Sequence, residues 1–164
     1  MGHGLQTIAS GIDFGEGPRW RDGRLWYSDF FQRAVYAVTL EGERERIVEL
    51  DDQPSGLGWL PSGDLLIVSM TKRQVLRFDG NVLSLYADLS ELASGHCNDM
   101  VVAPNGHAYV GNFGVAKDER AVPDATPLIH IDPAGSARLT GEPLQFPNGS
   151  VITRDGSTLI VAES

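Results

Sequence analysis

The chain has a single cysteine, few basic residues, no long apolar run and almost no helical pattern. Each shortage closes off a class. The lone Cys97 excludes an internal disulfide. Thirteen Lys and Arg stand against 22 Asp and Glu, for a net charge of −9. Binding to a phosphate backbone takes a basic patch, so no nucleic-acid partner is expected. No apolar segment approaches the ~20 residues of a membrane span, and no signal-peptide core stands near the N-terminus. No membrane association is expected, and a cytoplasmic protein is the default. The best helical candidate, Leu89-Ser90-Glu91-Leu92, is one turn at most. There is no G-x-S-x-G elbow, no H-E-x-x-H, no C-x-x-C and no phosphate-binding loop. Serine hydrolase, zincin and nucleotide-binding readings therefore lack support.

Glycine and proline, by contrast, are plentiful, at 19 and 9 residues, and they fall mostly at turns. Four of the glycines mark a repeat. Gly23, Gly63, Gly106 and Gly156 are 40, 43 and 50 residues apart. Periods of about 40–50 residues belong to propeller blades or helical solenoids. The segments after these turns decide for blades. Leu25-Trp26-Tyr27-Ser28, Leu65-Leu66-Ile67-Val68, Ala108-Tyr109-Val110 and Thr158-Leu159-Ile160-Val161 are short, rich in branched and aromatic residues, and bounded by turn formers.

Third strands follow at residues 34–38, 74–78 and 128–131, and fourth strands at 46–50, 83–86 and 137–139. Four antiparallel strands make one propeller blade. The outer strands are expected to alternate as half-buried strands do, and the inner ones to be buried on both faces. The fold expected is an all-β propeller of four-stranded blades, with three blades and two strands of a fourth in this chain. Residues 1–14 are a lead-in and 15–164 a partial propeller. A ring needs at least ~4 blades to close. The chain is therefore expected to be the N-terminal part of a longer protein, or a half that pairs. Its open apolar edge is a place for self-association. The longest stretch outside the repeat, residues 114–127, inserts into the third unit.

An oxygen-bearing side chain precedes each turn at a nearly constant distance. Glu16, Ser55, Asn98 and Asn148 lie 7, 8, 8 and 8 residues before the four turn glycines. Units arranged about an axis bring equivalent positions together, so Glu16, Asn98 and Asn148 are expected to converge. One carboxylate and two amides suit a hard divalent cation such as Ca²⁺ or Mg²⁺; Mn²⁺ accepts the same set and Zn²⁺ can use carboxylate oxygen. The bland alternatives stay open. Pro-Asn-Gly is a common turn, as at Pro104-Asn105-Gly106, and Ser55 reads as a turn residue. Strand alternation points Asp99 away from the channel, where it would accept backbone N–H groups. His96 lies two residues before Asn98 and could hydrogen-bond a substrate oxygen. Cys97 reads as a packed residue, and His3, His107 and His130 as structural.

Gly15-Glu16-Gly17-Pro18 with Trp26-Tyr27-Ser28-Asp29, Pro54-Ser55-Gly56-Leu57, Cys97-Asn98-Asp99 and Phe146-Pro147-Asn148-Gly149 follow in an order that resembles the senescence-marker-protein/gluconolactonase family, also called regucalcin-like. The resemblance implies a six-bladed propeller with a divalent metal in its channel, and metal-dependent hydrolysis of a small-molecule lactone, often a sugar lactone. In that mechanism the cation polarises the carbonyl and activates water. By the same resemblance, Glu16 and Asn148 match metal ligands. Asn98 matches a residue touching substrate or metal-bound water, and His96 falls where some members carry a substrate-binding Arg. The family's general acid/base Asp falls beyond residue 164, so no catalytic residue is expected within this chain. The rival readings are a non-catalytic calcium- or ligand-binding propeller and a propeller enzyme of the strictosidine-synthase or paraoxonase type.

Overall fold

The structure is a computed structural model, and it describes residues 5–115 and 122–164. His3 and part of the inserted stretch, residues 116–121, lie outside that range. The first sheet runs β1 (Gly15–Arg21), β2 (Arg24–Asp29), β3 (Ala34–Thr39) and β4 (Arg44–Glu49). The second comprises β5 (Pro54–Trp59), β6 (Leu65–Ser69), β7 (Gln74–Phe78) and β8 (Leu83–Asp88). The third comprises β9 (Cys97–Val102), β10 (Ala108–Asn112), β11 (Thr126–Ile131) and β12 (Ala137–Leu144). A two-stranded sheet, β13 (Pro147–Ile152) and β14 (Leu159–Glu163), follows. Every sheet is an antiparallel meander in chain order. This is the blade architecture expected of the repeat. The Leu89–Leu92 candidate is a single turn, closed by the Ala93 N–H donating to the Leu89 carbonyl at 2.8 Å.

The sheets meet through their first strands: β1 packs on β5, β5 on β9 and β9 on β13. Glycine makes that approach possible. A Cβ on Gly56 would stand 2.3 Å from the Met100 nitrogen and 2.7 Å from the Asp99 carbonyl carbon. On Gly17 it would stand 2.8 Å from the Ser55 carbonyl oxygen, and on Gly111 2.5 Å from that of Pro147. The main core lies between the second and third sheets, around Leu66, Val68, Met100, Val110 and Ile129. A second cluster, with Val35, Leu57 and Ile67, lies between the first and second.

β6 is buried throughout and β10 nearly so, as expected of inner strands, but the outer strands depart from the expected division. β3 and β11 are buried along nearly their whole length, whereas β4, β8 and β12 carry the exposed positions of a half-buried strand. The reason for β3 is the lead-in: Ile8 and Ala9 pack on Tyr27, Ala34, Tyr36 and Val38. Of the first strands, β5 is buried almost throughout and β9 at four of its six positions, while β1 and β13 are mixed. Among the described residues, β5 and β9 have a first strand packed on each side.

The glycine contacts give a direct test. Gly56→Ala forces its methyl into backbone that cannot step aside, and overpacking of that kind costs about 1–3 kcal/mol or more. Gly63→Ala meets open space, though its φ of +95° strains any side chain. That strain costs about 1–2 kcal/mol. Urea unfolding of the two variants should place Gly56→Ala well below Gly63→Ala.

Candidate functional site

Each first strand carries a β-bulge at the same place. Gly15 pairs with Asp29 but Arg19 with Trp26, and Pro54 pairs with Ser69 but Leu57 with Ile67. Cys97 pairs with Asn112 but Met100 with Val110, and Pro147 pairs with Glu163 but Ser150 with Val161. Each time, the first strand gains one residue on its partner. Ser55-Gly56, Asn98-Asp99 and Asn148-Gly149 occupy the bulges of the later sheets; in the first, Glu16 still pairs with Ser28 and the bulge falls at Gly17-Pro18 directly after it. A bulge bends the strand and re-aims its side chains, so simple alternation fails there. The oxygen donors singled out by spacing therefore share one structural register as well as one sequence register.

In the first three sheets the start of the first strand is tied to the end of the second by a repeated hydrogen bond. The N–H of Phe30 donates to the Phe14 carbonyl at 3.0 Å, Met70 to Gln53 at 2.9 Å and Phe113 to His96 at 2.9 Å. A polar side chain at the end of the second strand secures the same connection. Asp29 accepts the N–H groups of Asp13 and Phe14, Asn112 accepts those of Gly95 and Gly114, and Glu163 accepts that of Gln145. In the second sheet the work passes to Asp52, which accepts from Ser69, Thr71 and the Lys72 N–H. These latches were not read from the sequence. Their signal was an Asp, Asn or Glu closing three of the second strands.

Glu16 is half-buried, and among the described residues it has no ion-pair partner. Desolvation by burial pushes its carboxyl above the ordinary range. A hydrogen bond from the Gly17 N–H opposes the shift, and the negative charge of Asp99 adds to it. Asn98 is almost fully buried, at 3% exposure. Its Oδ1 accepts a long hydrogen bond of 3.5 Å from Ser55 Oγ, and its Nδ2 has no partner. Ser55 is itself held, since Ser28 Oγ donates to its carbonyl at 2.6 Å. Asn148 is half-buried; its Nδ2 donates to Ser164 Oγ at 3.1 Å, which leaves Oδ1 toward other partners. The structure thus joins Ser55 to Asn98 directly. No such contact joins Asn148 to Glu16.

Asp99 accepts a backbone N–H as expected, but it does not turn wholly away from the neighbouring first strands. Its Oδ1 accepts the Met100 N–H at 2.8 Å and Arg19 Nη2 at 2.8 Å, and Arg19 also donates to the Met100 carbonyl at 2.6 Å. Its other oxygen lies 3.9 Å from where a Gly149 Cβ would stand. The bulge is the physical reason. In register, Asp99 stands where the other first strands have Gly17, Gly56 and Gly149. His96 is exposed, with its ring 6.2 Å from that of Phe113. Burial pushes the Cys97 thiol up to about 12, which leaves it a packed, unreactive group. His107, in the β9–β10 hairpin turn, and His130, on β11, face one another, Nδ1 to Nε2, at 2.7 Å.

Among the described residues no three His, Cys, Asp or Glu side chains gather as a metal-binding group. The residues nonetheless fit a cation of the oxygen-seeking kind. Among the described residues Glu16 is a desolvated carboxylate without a counter-charge, and Asn148 retains a carbonyl oxygen. Arg19 is engaged elsewhere. Arg19→Met should leave the Asp99 carboxylate buried and half-satisfied, a loss of about 1–3 kcal/mol. Adding Asp99→Asn to that variant should recover part of the loss, as thermal unfolding of the single and double variants would show.

Similarity to known proteins agrees with this geometry. Among curated proteins no sequence matches the chain. Among solved structures, a gluconolactonase of Xanthomonas campestris superposes with a TM-score of 0.78 at 22% identity, over 96% of this chain and 56% of that one. Regucalcin, a calcium-binding protein of Agrobacterium tumefaciens, gives 0.74 at 22% identity, over 96% and 52%. A luciferin-regenerating enzyme gives 0.72 at 17% identity, over 92% and 52%. The chain thus spans just over half the length of each, and identities this low speak for the shared propeller fold. Among the described residues no helix is long and apolar enough to cross a membrane. The sequence profile of the SMP-30/Gluconolactonase/LRE-like region matches residues 14–164, and the chain belongs to that family.

Proposed function

We propose that this chain supplies the metal-holding and substrate-orienting half of a lactone-hydrolysing site. The observation that carries the reading is the pairing of two unmet needs in one register. Among the described residues, Glu16 is a desolvated carboxylate without a cationic partner, and Asn98 has a buried N–H without an acceptor. The first asks for a cation and the second for an oxygen.

Glu16 and the amide oxygen of Asn148 would hold the divalent cation. When bound, such an ion supplies a Lewis acid and a water of lowered pKa. Asn98 would donate its Nδ2–H to the lactone oxygen that gains charge as the carbonyl becomes tetrahedral. A donor fixed in a buried site costs little reorganisation at that moment. Ser55 fixes the other end of the Asn98 amide through Oδ1. His96, exposed beside the start of β9, would meet the substrate ring from the solvent side.

The second reading is a calcium-binding propeller without turnover. It draws support from the calcium-binding character of the regucalcin neighbour. Calorimetric titration of the protein with Ca²⁺ and Mn²⁺, beside a lactone hydrolysis assay, separates the two. Metal binding with chelator-sensitive hydrolysis supports the first; metal binding with no hydrolysis of any lactone supports the second.

Glu16→Gln should weaken metal binding at least tenfold and abolish hydrolysis. In metal-free buffer the same substitution should raise stability near neutral pH. The folded-state pKa of Glu16 lies above its unfolded value, so ionisation disfavours the fold as pH rises through that range. The advantage of Gln should shrink as pH falls below the ordinary Glu range. Denaturant midpoints measured at both ends of that window check the sign.

A further inference from the structure

The repeated hydrogen bond at the start of the first strands also aligns an aromatic rim. Two residues before Glu16, Ser55, Asn98 and Asn148 stand Phe14, Gln53, His96 and Phe146. The residues whose N–H groups donate to the first three carbonyl positions are Phe30, Met70 and Phe113. The rings gather in two groups. Phe14 stacks on Phe30 with centroids 5.0 Å apart and meets Phe31 edge-on at 6.1 Å. Phe113 stacks on Phe146 at 4.7 Å, with His96 tilted against it.

Part of this rim is open to water. Phe14 is 47% exposed and Phe31 64%. Phe146 adopts a φ of +48°, a left-handed conformation that is a genuine outlier for a bulky residue. Such strain persists where surrounding structure over-determines it, and it gathers at binding sites. In the matching turn of the second sheet the cations are engaged. Lys72 pairs with Asp51 at 2.5 Å and Arg73 donates to the Ala93 carbonyl at 3.1 Å.

We infer that the site prefers a lactone bearing an apolar, aryl or alkyl, substituent over a polyhydroxylated sugar lactone. This rests on the lactonase reading above. Hydroxyl groups on a substrate ring must each exchange water for a protein partner, and an unpaired one costs free energy. An apolar substituent leaving water for ring faces gains from burial alone. Two aromatic groups beside the starts of β1, β9 and β13 offer faces of that kind.

The test compares gluconolactone with a phenyl-substituted δ-lactone as substrates of the protein, and measures binding of the matching phenyl-substituted δ-lactam, which resists hydrolysis. The expected result is a kcat/KM at least tenfold higher for the phenyl lactone. Phe31→Ser, at a mostly exposed position, should raise KM for that lactone about tenfold and weaken lactam binding equally, with gluconolactone unaffected. Hydrolysis that favours gluconolactone, or a Phe31→Ser variant indistinguishable from the parent toward the phenyl lactone, overturns this inference and leaves the lactonase reading standing. Lactam binding weakened by Phe31→Ser without turnover of either lactone supports the apolar site and removes the lactonase reading. Absence of both binding and turnover removes both.

Discussion

The structure depends on backbone pressed against backbone at glycine. Neighbouring sheets approach so closely, at Gly17 and Gly56 of the first strands and at Gly111 of β10, that a single added methyl would collide with main-chain atoms of the neighbour. Side chains can adjust to one another, whereas main-chain atoms of two buried strands can move only if the sheets move. The contact therefore fixes the spacing of the sheets. It also fixes where the bulges of β1, β5, β9 and β13 sit relative to one another, and the candidate site is made of those bulges.

The bulge converts a structural repeat into chemistry. In a regular strand, adjacent residues face opposite sides. With one extra residue the first strand bends and presents consecutive side chains differently. At Asn98-Asp99 this yields a buried amide with a free N–H beside a carboxylate held by Arg19. Asp99 takes the register position that is glycine in the other three units. There it brings negative charge toward Glu16, which raises the cost of leaving Glu16 without a cation. Around this ring the latches at Asp29, Asp52, Asn112 and Glu163 hold the connecting segments, so that the donors stand on anchored backbone.

Much of this was legible in the sequence because the fold is a repeat. The period of the turn glycines and the branched-aromatic runs after them define β2, β6, β10 and β14 without ambiguity. Glu16, Asn98 and Asn148 stood out because they share an offset from those glycines. What escaped was whatever depends on contacts between distant segments. The burial of β3 comes from Ile8 and Ala9, which carry no local signal of their destination. The turn of Asp99 toward the site comes from a bulge, and Asn98-Asp99 reads as ordinary strand until its pairing with β10 is seen. The Arg19–Asp99 pair joins residues 80 positions apart. Phe14, Phe30 and Phe31 read as scattered aromatics until the recurring hydrogen bond sets them on one rim.

The central claim is that the register of the bulges builds a cation site from Glu16 and Asn148. Crystals of the protein grown with Mn²⁺, measured at a wavelength where the ion scatters anomalously, would locate it without reference to activity. The account predicts one strong peak bonded to the Glu16 carboxylate and the Asn148 amide oxygen. No peak at saturating metal, or a peak bonded to neither residue, would contradict it.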